Sequence, residues 1–308
     1  MSRIHFRAGL LAGAAGLTLF VSQGAGAHGF AGARFFPATI ATDDPFVADE
    51  LALPTIAFSK DDGDVRTTTY SAGFAKRITP DLALDFGATY VRLRPPGGPS
   101  VDGFDNLSLG AKYQVAVDPM HESIFAVGVD ADIGGTGADR IGAEDFTTVT
   151  PGFFFGKGFG DLADKESVFR AFAVTGSIGV KIPTRAHSPN GAGGFDSNPN
   201  RLEASMALEY SLPYLQSQVR NVGLGAPFDR MIPVIEFSLE TPLDRGGGKT
   251  TGTLNPGLLW AGQYVQLGVE AILPLNRASG HAVGFLAQLH FYVDDLLPTS
   301  LGRPLFGR

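Results

Sequence analysis

The 308-residue chain contains no cysteine. That excludes disulfides, a thiol nucleophile and a lipid-modified N-terminal cysteine, and it weakens any zinc chemistry. A second absence is a helical membrane span. The one long apolar run, Ala8 to Val21, is shorter than the ~20 residues that cross a bilayer as a helix, and nothing downstream replaces it. Positive charge is also scarce. The formal net charge is -7, and it falls to about -9 once Arg3 and Arg7 are removed with the leader described next, so phosphate backbones are poor partners and no nucleic acid is expected.

What is present begins with a basic start (Arg3, Arg7), the apolar run, and the small triplet Ala25, Gly26, Ala27. This pattern predicts a secretory signal peptide over residues 1–27. An exported chain without a spanning helix can enter a membrane only as strands. From Leu51 onward, short stretches of period-two alternation are separated by Gly, Pro, Asn and Asp, with no long helical period. Leu107, Leu109, Ala111, Tyr113, Val115 and Val117 alternate with Asn106, Ser108, Gly110, Lys112, Gln114 and Ala116. Leu202 to Tyr210, Val265 to Leu273 and Val283 to Val293 repeat the pattern. A sandwich has the same alternation, so the connections carry more of the decision.

Long polar connections near 60–65, 94–105, 134–144, 183–200, 244–250 and 276–281 alternate with others, several of them short, near 76–80, 118–121, 156–166, 212–230 and 262. One long-looped rim and one short-turned rim are expected of an outer-membrane barrel. The 212–230 connection departs from this, and its length predicts a short helix or another structured segment. The count is about twelve antiparallel strands, an even number that returns both termini to the periplasmic side. On the descending even strands, the outward residue near the lower end reads Phe74, Tyr113, Phe155, Tyr210, Trp260 and Phe291, an aromatic girdle at a membrane interface. The predicted organisation is a leader over 1–27, a periplasmic or plug segment over 28–50, an all-β transmembrane barrel over 51–294 and a periplasmic tail over 295–308.

The run Arg34-Phe35-Phe36-Pro37-Ala38-Thr39 with Asp43-Asp44-Pro45-Phe46-Val47-Ala48-Asp49-Glu50 resembles bacterial proteins grouped with outer-membrane transporters. So does Gln288-Leu289-His290-Phe291-Tyr292-Val293-Asp294-Asp295 with Gly302-Arg303-Pro304-Leu305-Phe306. The broader pattern is similar to transporter-like barrels associated with phenol-degradation pathways, and the resemblance implies uptake of aromatic compounds. Outer-membrane barrels often end on an aromatic residue of the last strand. Here that strand is predicted to end near Val293, and a tail follows.

Side chains expected to face the lumen are Asp85, Asp130, Asp132, Glu203, Glu209, Glu236, Glu240 and Glu270, with Lys112, Lys181, Arg201 and His290. An acidic wall favours cations if it lines water, and a packed ion-pair network is the alternative. Phe35, Phe36, Asp43, Asp44 and Phe46 are the candidates for a plug. Enzymatic motifs are weak. His121 and Ser123 have the spacing of outer-membrane phospholipase but fall in a periplasmic turn; His187 and Ser188 lack an orienting acid; and Gly246 to Thr250 has Leu243 where a phosphate loop needs its first glycine. A copper site at a cleaved N-terminal His28 lacks further ligands. No catalytic residue, metal or cofactor is expected. The predicted function is a channel or passive transporter for small solutes in contact with outer-membrane lipid. The alternatives are a nonconducting barrel with surface-interaction loops and a soluble periplasmic sandwich.

Overall fold

Period-two alternation gives each strand two chemically distinct faces, and the sheet they form closes on itself, so that one face becomes a lumen and the other an outer surface. The computed structural model describes residues 29–60, 63–189, 194–244 and 247–307. Twelve barrel strands run in chain order: β1 (Glu50–Lys60), β2 (Arg66–Thr79), β3 (Leu82–Arg94), β4 (Leu107–Asp118), β5 (Ser123–Ile133), β6 (Thr148–Gly158), β7 (Phe172–Pro183), β8 (Arg201–Tyr210), β9 (Met231–Pro242), β10 (Thr251–Ala261), β11 (Val265–Pro274) and β12 (Gly284–Tyr292). Each pairs antiparallel with its chain neighbours, and β12 pairs with β1, for example Phe285 with Phe58 and Phe291 with Leu51, which closes the ring. A thirteenth short strand, Val101–Phe104, extends the far end of β3. Closure leaves no barrel edge unpaired, the condition for a β-structure in hydrocarbon.

Both barrel ends of the chain open on one rim, called here the terminal rim. The β2–β3, β4–β5 and β10–β11 turns on it span only residues 80–81, 119–122 and 262–264. The 211–230 connection, on the same rim, is structured: Leu212–Tyr214 forms one helical turn, continued by a wider turn over Leu215–Val219, with a further turn at Phe228–Arg230. The connections at the far rim are all longer than these three turns, and the 184–200 loop carries a ribbon, His187–Pro189 against Phe195–Ser197.

Outward positions are apolar and exposed. Phe86, Tyr113, Phe153, Ile235 and Leu267 are 50%, 49%, 52%, 46% and 50% exposed, a band that needs lipid rather than water. The regular register is broken between Arg77 and Thr79 in β2, between Gln114 and Ala116 in β4, and in β1. In β1 the register shifts between Ala52 and Thr55, around Pro54, so Leu51 and Phe58 both face outward although their numbers differ in parity. Proline lacks the N–H a regular ladder needs, and a bulge accommodates it. The last strand ends at Tyr292, and Val293–Leu296 turns helically into the tail. Glu50 pairs with Ala75 and Tyr292 and so belongs to β1 rather than to the segment before it.

Ile235 stands near the middle of β9, and replacing it with arginine is expected to destabilise the folded barrel by about 2–4 kcal/mol, the cost of a cation at the bilayer midplane. Urea-dependent folding into lipid vesicles, read by the shift in gel mobility on boiling, measures it. The same replacement at Val283, on a far-rim loop, should cost little; equal effects would argue against a membrane-spanning band.

Candidate functional site

Inward and outward positions are fixed by the exposed neighbours. Leu84 and Phe86 flank Asp85, Val129 precedes Asp130, Leu208 precedes Glu209, Ile235 precedes Glu236 and Val269 precedes Glu270. The carboxylates therefore face inward, as do Lys112 between Ala111 and Tyr113, Asp132, Arg201, Glu203, Glu240 and His290 by the same alternation.

The inside of the barrel divides into two layers. Near the terminal rim apolar inward side chains stand among a few polar ones such as Glu209, Gln266 and His290: Ile124 and Ala173 pack on Phe36 and Phe46, while Ala207, Ile232, Val234 and Leu259 pack on Phe35 and Ile40. Phe35, Phe36, Ile40 and Phe46 belong to the segment before β1, which occupies this part of the lumen. Glycine makes room for it. A Cβ on Gly156 of β6 would stand 3.0 Å from the Pro45 Cγ and 3.3 Å from the Phe36 ring.

The segment starts as a small hairpin, Phe30–Ala31 against Arg34–Phe35, then enters the barrel and reverses over residues 39–44. That reversal is held from within, since Asp44 Oδ1 accepts from both the backbone N–H and the hydroxyl of Thr39, each at 2.9 Å. The wall holds it from outside. Glu236 accepts the backbone N–H groups of Ile40 and Ala41 at 2.8 and 2.9 Å, one on each carboxylate oxygen. Gln266 donates to the Ala38 carbonyl at 2.5 Å and accepts from the Tyr292 hydroxyl at 2.9 Å, and Lys112 donates to the Asp44 carbonyl at 2.8 Å. Burial pushes the Asp44 carboxyl up to about 7, and the charge of Glu50 adds to this while Lys112 opposes it.

Two charged anchors fix the ends of the segment at the terminal rim. Arg34 is wholly buried: its Nε donates to Glu122 Oε2 at 3.0 Å, its other nitrogens reach the carbonyls of Ala171 and Arg170 at 3.2 and 2.5 Å, and its guanidinium lies 3.6 Å from the Tyr214 ring centre. The Tyr214 hydroxyl closes the group by donating to Glu122 Oε1 at 2.5 Å. Its phenol is pushed up to about 12, by burial and then by the adjoining Glu122 carboxylate, so it remains a donor. At the other end, buried Asp49 pairs with Lys76 at 2.6 Å and Arg77 at 2.8 Å. Lys76 and Arg77 also bind the tail through the carbonyls of Leu301, Arg303 and Gly302.

The far-rim half of the lumen is polar. Lys181 lies 2.5 Å from Glu203 and 3.1 Å from Glu240, and Arg201 lies 3.0 Å from Glu240. The 39–44 reversal separates two cavities, and Ala41 and Asp43 line both. One, about 320 Å³, lies against β1 to β5 and β12 and is bordered by Asp85, Lys112, Asp130 and His290. The other, about 470 Å³, lies against β7 to β10 and is bordered by Glu203 and Glu240. Glu209, Glu236 and Glu270 border neither; they are buried beneath the segment, Glu209 accepting from Thr175 at 3.1 Å.

Sequence reasoning did not single out Arg34, Glu122, Tyr214 or Gln266 for these roles. Residues 1–28, including the leader and His28, lie outside the described residues, as do Arg245 and Gly246 of the glycine-rich loop. His121 sits exposed in the 119–122 turn with its Nδ1 2.7 Å from Asp118, while the Ser123 hydroxyl donates to the His121 carbonyl rather than to its ring. His187 and Ser188 lie on the far-rim ribbon.

No protein-family model matches the chain, and no curated protein matches it. Solved structures do. An outer membrane channel from Pseudomonas putida F1 superposes with a TM-score of 0.55 at 14% identity, covering 80% of this chain and 94% of that one. The β domain of the Bordetella autotransporter BrkA gives 0.45 at 12% identity over 80% and 99% of the two chains, and the translocator domain of the autotransporter NalP from Neisseria meningitidis gives 0.43 at 10% over 79% and 86%. At 14% identity the likeness is one of architecture: the chain forms a closed, twelve-stranded antiparallel β-barrel and shares its fold with the Pseudomonas outer membrane channel.

Proposed function

We propose that the protein is an outer-membrane channel that passes small cationic solutes, with its terminal rim in the periplasm and its N-terminal segment constricting the lumen. The observation that carries this reading is a polar, carboxylate-walled lumen with free space on both sides of the 39–44 reversal. Carboxylates around a narrow aqueous path lower the barrier for cations and raise it for anions. The same walls disfavour the aromatic compounds implied by the sequence resemblance, since an apolar ring gains nothing from displacing water from them.

Single-channel recording of the refolded protein in a planar bilayer, under a salt gradient, tests the proposal. The expected result is stable steps with a cation-side reversal potential. In the far-rim network Glu203 and Glu240 face Lys181 and Arg201, so the double replacement Glu203→Gln and Glu240→Gln leaves two unbalanced cations at that mouth and should move the reversal potential toward the anion side. A reversal potential unchanged by it would place the selective region elsewhere. A second reading, a nonconducting barrel that acts through its far-rim loops, draws on the packed layer at the terminal rim and on Phe195, which is 72% exposed on the ribbon. Silence from a verified folded barrel, both with and without the N-terminal segment, would favour it.

A further inference from the structure

The smaller cavity has an unusual lining. Among the described residues Thr42 Oγ1, Glu50 Oε1 and Gln288 Oε1 are buried atoms without a hydrogen-bond partner; all three residues border this one space, as does His290, whose Nε2 has only the Glu50 carboxylate at 3.5 Å. Thr42, Glu50 and His290 are only 3%, 9% and 5% exposed. Buried polar atoms are almost always satisfied by protein, water or ligand, so their concentration here marks a place built for a polar occupant.

The charge of the lining says which kind. Asp85 and Asp130 converge over Gly110: a Cβ there would lie 3.2 Å from Asp85 Oδ2 and would collide with Asp130 Oδ1, so the two carboxylates occupy the space a side chain would take. Glu50 continues the same inward row two strands away, joined to Asp85 through the Glu50–Ala75 and Ala75–Asp85 pairs, and lies 3.5 Å from His290. Lys112 is the one lysine of the lining, donating to the Asp44 carbonyl and facing the Phe154 ring, and its single charge is set against the carboxyl groups of Asp43, Asp44, Glu50, Asp85 and Asp130. A metal ion held by three or more side chains is a poor match, because among the described residues no such group of His, Cys, Asp or Glu is spaced to hold one. The occupant must bring positive charge together with several N–H donors spread over a volume of about 320 Å³.

We propose that this cavity is a binding site for a small aliphatic amine, above all a diamine, with one ammonium held between Asp85 and Asp130 and the other end donating to Glu50, Gln288 and Thr42. The two ends of a short diamine place charge where each end of this row offers carboxylate, and the methylene stem lies across the Ala48 and Ala83 side of the space. A charge-assisted hydrogen bond at each end supplies the affinity, and the absence of a side chain at Gly110 supplies the room. The proposal rests on the channel reading for the route by which the amine arrives, and the site itself stands independently of whether current flows.

The test is calorimetric titration of the full folded protein in detergent micelles with 1,4-diaminobutane, alongside 1,4-butanediol and succinate. Saturable one-site binding is expected for the diamine alone. Asp85→Asn and Asp130→Asn are expected to weaken it at least tenfold, and Gly110→Val to abolish it, while Glu203→Gln in the other cavity leaves it unchanged. The gel-mobility shift on boiling verifies that each variant is folded. Equal binding of the diol, which would mean a water-filled polar space, overturns the proposal. So does diamine binding that survives Asp85→Asn and Asp130→Asn, or no binding by the folded protein. Because conductance is recorded separately, a conducting barrel that ignores the diamine would sink the site and leave the channel reading intact, whereas a silent barrel that binds it would do the reverse.

Discussion

Deletion of residues 29–47 is expected to raise the single-channel conductance of the reconstituted barrel several-fold. The deleted stretch occupies much of the terminal-rim half of the lumen, where Phe36 is completely buried and Phe46 is 5% exposed, while Asp49 remains to pair with Lys76 and Arg77. The barrel should survive, because its ladder closes without any strand from the segment. It would be weaker. Ile232, Val234 and Leu259 lose their apolar cover, at roughly 1.5–3 kcal/mol for each large side chain that becomes fully exposed. Glu236 would exchange two backbone partners for water, a smaller loss because a carboxylate is well solvated there. Planar-bilayer steps from the deleted protein, compared with the full chain and checked for an intact gel-mobility shift, give the answer. Unchanged conductance would mean that the constriction lies at the far rim.

The barrel was legible in the sequence for a physical reason that also explains what was not. β4 reads as Leu107 to Val115 against Ser108 to Gln114 because one of its faces meets lipid and the other a polar interior, whereas beyond the shift between Gln114 and Ala116 the next apolar residue, Val117, packs on the inner cluster. Where the interior is itself apolar the contrast fades: Ile232 and Val234 point inward beside outward Ile235, so the start of β9 looks uniformly oily. β1 was blurred by the bulge at Pro54, which reverses parity midway. The inward-facing acids followed from alternation, but their environments did not. Glu209, Glu236 and Glu270 lie under a segment whose path no local pattern encodes, whereas Asp85, Asp130, Glu203 and Glu240 border open space. The 211–230 connection was visible as too long for a plain turn, but not as the source of Tyr214.

The Arg34 anchor lies furthest from anything a sequence displays, since Glu122 is 88 residues and Tyr214 a further 92 beyond it in the chain. It also carries the second large prediction. Glu122→Gln keeps the shape of the side chain but leaves a fully buried guanidinium without its counter-charge, and breaking such a pair costs about 3–5 kcal/mol. Because Arg34 and Glu122 meet only when the segment is docked, that cost falls on docking rather than on the barrel ladder. A penalty of 3 kcal/mol is about a hundredfold in the docking equilibrium. The expected result is a segment open to limited proteolysis and a channel with longer or larger open states, on a barrel whose gel-mobility shift is unaltered. Arg34→Met should act in the same direction but less severely, since Met can pack against Tyr214 and leaves Glu122 still bound by the Tyr214 hydroxyl and the Gly160 N–H. The double replacement should then be milder than the sum of the two, because the second change removes a charge that the first left unpaired, and the shortfall measures the coupling between Arg34 and Glu122. Strict additivity would show that the two residues act separately, and that the segment is held instead by Glu236 and the aromatic packing beneath it.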